Sequence, residues 1–546
     1  MNIRNNTILS LVLVAFSGMF PACEDAEHYA EKGQSQTSLM GLISARPELS
    51  RFAELLRQTG YDAILDGEQV YTVWAPNDDA LAGADLSDAD KVAYLVSNHI
   101  ARFSASASGS EERTVSMVND KPLKFYRDGD NYYLRVASAS TGAPLVNKNI
   151  AAKNGLLHVL GQDVPFVRNI WQYMAQPGFE PIKDYLYSFN RRTFMENQST
   201  QIDVDGTGMN VYDSVFINSN EMFYPFRGIG YLNYEDSIYS MIMPTKEAWD
   251  EAYARVAPYF ASNDPIDPDS VQRENTKYAL IKDLVFFDDD LSQRNFSPSD
   301  TIFSTRGAAI GNPNHLFTDG EWKEASNGKV FVANKLNYTA GEAWQQPIII
   351  EAEYALGRIF DPATEKGTLR MWWDTNDKDL SNGRYIIVSS TGPNDYPSVT
   401  FDIPNTVAGK YNIYCRLVPG TPRTEVRSRI VYEIYKWNKG TDIKDYIPGR
   451  ATPSWRLLGN NDANGRLTTE PEDPACYEGM FGGAARADAA TNMLLARNFQ
   501  FKHANFNEEN TSIRIRIISF VPPDWVANGT FRNVMRIDCI MLVPVE

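Results

Sequence analysis

Histidine, cysteine, positive charge and long apolar runs are all scarce in this sequence, and each scarcity removes a class of function. Five histidines occur in 546 residues: His28, His99, His158, His315 and His503. None stands in a metal-ligand pair such as H-E-x-x-H. Of the four cysteines, Cys415, Cys476 and Cys539 lie beyond the N-terminal segment. They are too few for a disulfide framework and lack zinc-ligand spacing. No G-x-S-x-G elbow and no P-loop is found. Asn327-Gly328-Lys329 has the last Gly-Lys of a P-loop, but neither the following Ser or Thr nor the earlier Gly. The formal net charge is −17, which repels phosphate backbones and argues against nucleic-acid binding. It also repels an anionic bilayer, so residence at a membrane needs a covalent anchor. The apolar run Ile8 to Phe16 is too short to cross a bilayer, which takes about 20 residues.

What is present suits a folded, multidomain chain. Hydrophobic residues make up 43% and charged residues 22%, as in ordinary globular protein. The length exceeds one core and predicts about three domains of roughly 150–200 residues each. Aromatics reach 12%, which suits β-structure and surfaces that grip ligands by stacking.

Met1 to Cys23 has a short polar start with Arg4, the apolar run, small residues and then Ala22-Cys23. This order predicts a secretory signal that is removed. Phe20-Pro21-Ala22-Cys23 resembles the bacterial lipobox, although an aliphatic residue is usual where Phe20 stands. The resemblance implies a signal peptide over residues 1–22 and a diacylglycerol on the Cys23 thiol. Glu24, Asp25 and Glu27 resemble the acidic surface-export tag of Bacteroidota lipoproteins, implying the outer face of the outer membrane. Residues 23–37 are polar and aperiodic, as in a tether.

Two copies of one pattern follow. In the first, Leu39, Leu42, Ile43, Leu49, Phe52, Leu55 and Leu56 recur at helical spacing. A strand, Val70 to Ala75, stops at Pro76, and Asn77-Asp78-Asp79 supplies helix caps. A helix with Val92, Leu95, Val96 and His99 comes next, and Asn154-Gly155 turns into a strand ending at Leu160. Thr72 to Leu81, Asn98-His99-Ile100 and Asn154 to Leu160 resemble, in order, the three signatures of the fasciclin (FAS1) domain. In the second copy, Asp236 to Trp249 repeats the strand–Pro–helix signature. Lys282 to Phe286 stands at the middle signature without a His, and Asn327 to Ala333 repeats the closing turn with Phe331 at the place of His158. The expected layout is a FAS1 domain over 38–169 and a diverged FAS1 domain with insertions over 170–346.

Over 347–546 the alternation has period two. Ile513, Ile515 and Ile517 alternate with arginines; Tyr411, Ile413, Cys415 and Leu417, and Met535, Ile537, Cys539 and Met541, alternate likewise. Such strands build a β-sandwich. Ile348 to Glu353 and Met535 to Pro544 resemble the first and last strands of galactose-binding-like jelly rolls, many of which bind carbohydrate. The fold class expected is therefore α+β multidomain: two FAS1 domains followed by an all-β jelly-roll sandwich.

Neither His99 nor His158 is expected to be catalytic, because both fall on fold signatures and the second copy dispenses with them. Aromatic rings are the better lead, since sugars stack their C–H faces on flat rings. Trp372, Trp373, Trp455 and Trp525 are the ligand-binding candidates; Trp437 is a further ring in that region. Adjacent strand residues face opposite ways, so at most one of Trp372 and Trp373 belongs to a core. Asp374, Asp377 and Asp379, with Asn376, are calcium candidates, although they fail the EF-hand pattern. Asp288-Asp289-Asp290 reads as a solvated loop. The function expected is a non-catalytic surface lipoprotein that binds a glycan or oligopeptide. The resemblance to SusC/SusD-associated lipoproteins implies docking onto an outer-membrane uptake complex. The alternatives are an adhesin for host or neighbouring-cell matrix, and a carbohydrate-active enzyme.

Overall fold

The computed structural model describes residues 36–137, 139–204, 210–213, 215–223, 228–287, 291–373, 380–418, 430–438, 443–446, 490–506, 511–528 and 532–545. The chain divides into two compact units, Met1–Arg168 and Asn169–Glu546.

In the first unit, the helix Ser50–Thr59 buries Phe52, Ala53, Leu55 and Leu56 on one face, and left-handed Gly60 ends it. The helix Ala89–Ser97 is capped by Asp88, whose side chain accepts from Lys91 N. Against them lies a seven-stranded mixed sheet. Its wholly buried strand Tyr71–Pro76 runs parallel to Gly155–Leu160 and antiparallel to Ile100–Arg102. His99 follows the helix rather than riding on it, because Asn98 caps the C-terminus.

The second unit opens with the same device. Tyr239–Pro244 pairs in parallel with Gly328–Ala333, so Tyr239 faces Gly328 as Tyr71 faces Gly155. Gly155 and Gly328 have φ of +144° and +134°, and a Cβ on either would sit 1.8 Å from the tyrosine carbonyl oxygen. Only glycine fits such an approach. The preceding asparagines are also equivalent. Asn154 Oδ1 accepts from Leu39 N at 2.9 Å, and its Nδ2 donates to Leu65 O at 2.8 Å and Gly67 O at 2.9 Å. Asn327 Oδ1 accepts from Ile170 N at 2.9 Å, and its Nδ2 donates to Leu232 O at 2.9 Å and Tyr234 O at 3.0 Å. The copies differ in what fills the frame. The second sheet has four strands, and where the first copy has the meander Arg113–Ser116, Pro122–Asp128 and Asn131–Val136 the second has only a separate hairpin, Thr301–Phe303 with Ala309–Gly311, among the described residues. Between the two ends bridged by Asn327, the second copy instead inserts a two-stranded ribbon, Asn190–Phe194 paired with Phe216–Asn220.

The rest of the unit is a sandwich of a six-stranded and a five-stranded sheet, with every pairing antiparallel. Ile348–Glu351 pairs with the last strand, Val534–Val545. Ile513, Ile515 and Ile517 are buried, as alternation requires. The last strand departs from it: Met541 is only partly buried, while Ile540 and Leu542 lie in the core. A bulge is the cause. Arg416 pairs with Cys539 and Leu417 with Ile537, leaving Asp538 as the extra residue that reverses the parity. The diverged copy and the sandwich share one core, continuous across 346/347. Ala408 N donates to Tyr259 O at 2.7 Å, Ala504 N to Ala261 O at 2.8 Å, and the Phe260 and Phe506 rings meet edge-on at 5.0 Å.

Candidate functional site

Both buried histidines spend both ring nitrogens on backbone. His99 Nδ1 lies 2.8 Å from Leu95 O, and its Nε2 accepts from Val164 N at 3.1 Å. His158 Nε2 lies 2.9 Å from Ala105 O, and its Nδ1 accepts from Asn149 N at 3.2 Å. Burial lowers the pKa of both, that of His158 to about 4. His99 is a neutral brace between the helix Ala89–Ser97 and the Val164 stretch, and His158 one between the sheet and the Ala105 stretch. Phe331, buried against the corresponding strand of the second copy, fills the place of His158 by packing alone.

Trp372 and Trp373 are both exposed, at 54% and 67%. The expectation that at most one of them belongs to a core holds: neither does. Their strand, Gly367–Trp373, is the edge of the six-stranded sheet, and its last residues, Met371 included, are exposed on both faces. The two rings lie 6.3 Å apart at 21°. Trp525 sits on another element, the short helix Pro523–Ala527, and is partly buried. Trp437 is partly buried, with the Arg514 guanidinium 4.4 Å above its ring. Trp455, Cys23 and Cys476 lie outside the described residues, as do Asp288-Asp289-Asp290 and the calcium candidates Asp374, Asp377 and Asp379. Cys415 and Cys539 are free and buried.

Among the described residues, no group of three His, Cys, Asp or Glu has metal-holding geometry. One acidic cluster is nonetheless notable. Glu351, Glu353 and Asp538 come together there, and among the described residues Glu351 Oε2 and Asp538 Oδ1 are buried oxygens that accept no hydrogen bond. Ser381 N donates to Asp538 Oδ2 at 3.0 Å, and Arg416 lies 3.7 Å from it. Burial outweighs both and pushes Asp538 up to about 7. Buried carboxylates of this kind are satisfied by protons or by a hard cation.

Sequence reasoning missed a cleft of about 450 Å³ at the foot of the inserted ribbon. Four rings wall it. Trp171 stacks on Tyr187 at 4.3 Å and meets Phe223 edge-on at 4.8 Å; Tyr231 and Tyr234 stack at 5.0 Å and 9°. Asn190, Asn218, Asn220 and Asn233 bring amides, and Arg191 and Arg192 bring charge. Asn220 is committed to the fold, donating to Leu186 O and Asn190 Oδ1 and accepting from Met222 N. Asn233 Oδ1 is buried and accepts no hydrogen bond. The one signal in the sequence was local: aromatic and Asn residues crowd together between 171 and 234 with no periodicity.

Comparison with known proteins places one part of the chain. Residues 47–162 match the Fasciclin domain family. No curated protein matches the sequence. A solved FAS1 domain pair from the insect cell adhesion molecule Fasciclin I, described as revealing a novel fold, is similar at 12% identity. It covers 54% of this chain and 98% of that chain, with a TM-score of 0.21. That score is too low to support an argument about arrangement. The chain therefore carries a fasciclin domain at residues 47–162, within its first compact unit.

Proposed function

We propose that the protein is a non-catalytic binding protein of the bacterial cell exterior. On this reading, a lipid on Cys23 holds it at the outer membrane and residues 23–37 are its tether. The fasciclin domain and its diverged copy offer contact faces, and the sandwich, read as a galactose-binding-like jelly roll, grips a glycan or oligopeptide. Fasciclin domains are typically non-catalytic and stand in adhesion and surface proteins. The observation that carries the reading is the Trp372–Trp373 pair. Burying a large apolar side chain is worth ~1.5–3 kcal/mol, and two neighbouring indoles on an uncovered edge strand forgo that. Exposed aromatic patches of this kind mark contact surfaces. A build of fasciclin domains before a sandwich further suggests delivery of ligand to a SusC/SusD-type uptake complex.

The test is titration of the mature protein and its Trp372→Ala/Trp373→Ala variant with glycan and peptide panels. Saturable binding, weakened about tenfold or more in the variant, is expected. A large β-barrel should co-purify from detergent-solubilised outer membrane. Binding to matrix protein without a barrel partner would assign the protein to adhesion. Release of reducing ends would overturn the non-catalytic assignment.

A further inference from the structure

The geometry points to a second ligand site, in the ribbon cleft of the diverged copy, that takes an acidic carbohydrate. The cleft exists because of the insertion. In the first copy the chain passes from Leu39 to Leu65 through helices alone, Leu39–Ser44, Pro47–Leu49, Ser50–Thr59 and Tyr61–Asp66, the two ends bridged by Asn154. In the second it runs from Ile170 to Leu232 by way of the ribbon, and the cleft opens between the ribbon and those bridged ends. Its volume lies within the ~300–1,000 Å³ usual for small-ligand sites.

The lining chemistry selects the ligand. Among the described residues, the cleft is lined by aromatic rings, amides and arginines, with no carboxylate, imidazole or thiol, a lining suited to binding. Tyr234, 54% exposed and parallel to Tyr231, offers a flat apolar face. Amides carry donors and acceptors together and so match hydroxyl groups, which are both at once. Asn233 Oδ1 is a buried acceptor without a donor, and Asn218 makes no side-chain hydrogen bond among the described residues. Rings beside unspent amides fit a sugar better than a peptide. The arginines add the sign. Arg191 donates to the Ser188 and Asn190 carbonyls, and Arg192 lies 4.0 Å over the Phe216 ring. Among the described residues neither pairs with a carboxylate, so two cations at the mouth of a cleft in an acidic protein stand uncompensated. A uronate carboxylate or a sugar sulfate supplies the missing anion.

The test uses the full mature chain, with oligouronates and sulfated oligosaccharides set against neutral gluco- and manno-oligosaccharides in calorimetric titrations. Tyr234→Ala and Arg192→Ala replace exposed side chains, and their thermal melts check that the fold is kept. Acidic oligosaccharides should bind and neutral ones bind at least tenfold more weakly. Each variant should lose about tenfold for the acidic ligands, while Trp372→Ala/Trp373→Ala loses nothing at this site. Binding should weaken in 0.5 M salt. Equal binding of neutral sugars, or an Arg192→Ala variant that binds as before, overturns the acidic assignment. Failure of every oligosaccharide, or a peptide bound in their place, overturns the site as a carbohydrate site. Loss confined to the tryptophan variant sinks this proposal while leaving the sandwich reading intact.

Discussion

At the scale of single residues, the fold depends on a few polar atoms that sit where no others would serve. Asn154 and Asn327 each tie a strand entrance to two separate stretches of chain through three hydrogen bonds. At about 1 kcal/mol for each bond, Asn154→Ala or Asn327→Ala should cost about 3 kcal/mol in equilibrium denaturation. Gly155→Ala should be worse, because its new Cβ would meet the Tyr71 carbonyl. His158 makes a pH prediction. Its folded pKa, about 4, lies below the unfolded value of ~6.5. Its contribution to stability is therefore complete above pH ~6.5 and lost as pH falls towards 4. His158→Phe should flatten that slope, at a cost of about 2 kcal/mol for two orphaned backbone partners. The sequence made the structural role of both histidines legible, because a repeat that dispenses with a residue does not need it for chemistry. It showed Asn-Gly only as a turn. The three-way tie was hidden because its partners lie far off in the chain.

At the scale of elements, alternation served well wherever strands were paired on both sides and regular. It failed at the two exceptions. The end of the edge strand Gly367–Trp373 is exposed on both faces, so alternation of burial stops there, although the expectation of at most one core tryptophan holds. The last strand changes parity at Asp538, and a bulge leaves no mark in hydropathy. That bulge places an acid inside the sandwich. With its folded pKa raised to about 7, Asp538 contributes most below its unfolded pKa, and that contribution is lost as pH rises towards 7. Asp538→Asn should flatten the fall of Tm with pH. Melts repeated in millimolar calcium separate the two ways of satisfying the cluster. A protonated cluster shows no response, whereas one that holds a cation gains Tm at pH 7. The ribbon and its cleft were illegible for a different reason. Their side chains converge from both ends of an insertion that has neither period nor motif.

At the scale of the whole molecule, the two compact units carry opposite pH dependences. Between pH 4 and 7, His158 favours the first unit as pH rises, while Asp538 disfavours the second. Calorimetry should resolve two transitions that move in opposite directions across that range. The net charge of −17 disfavours adsorption to an anionic membrane, and on the proposed reading a lipid on Cys23 holds the protein there. No helix among the described residues is long and apolar enough to cross one. Cys23→Ala should release the protein from the membrane fraction and abolish metabolic labelling with fatty acid.

The claim at the centre is that an uncovered pair of indoles grips a ligand without transforming it. Calorimetric titration of mature wild-type and Trp372→Ala/Trp373→Ala protein with a polysaccharide panel tests it most directly. The account predicts saturable heat for at least one wild-type pairing, lost in the double variant, with the ligand recovered intact. Equal binding of every ligand by both proteins, or a ligand recovered in pieces, would contradict it.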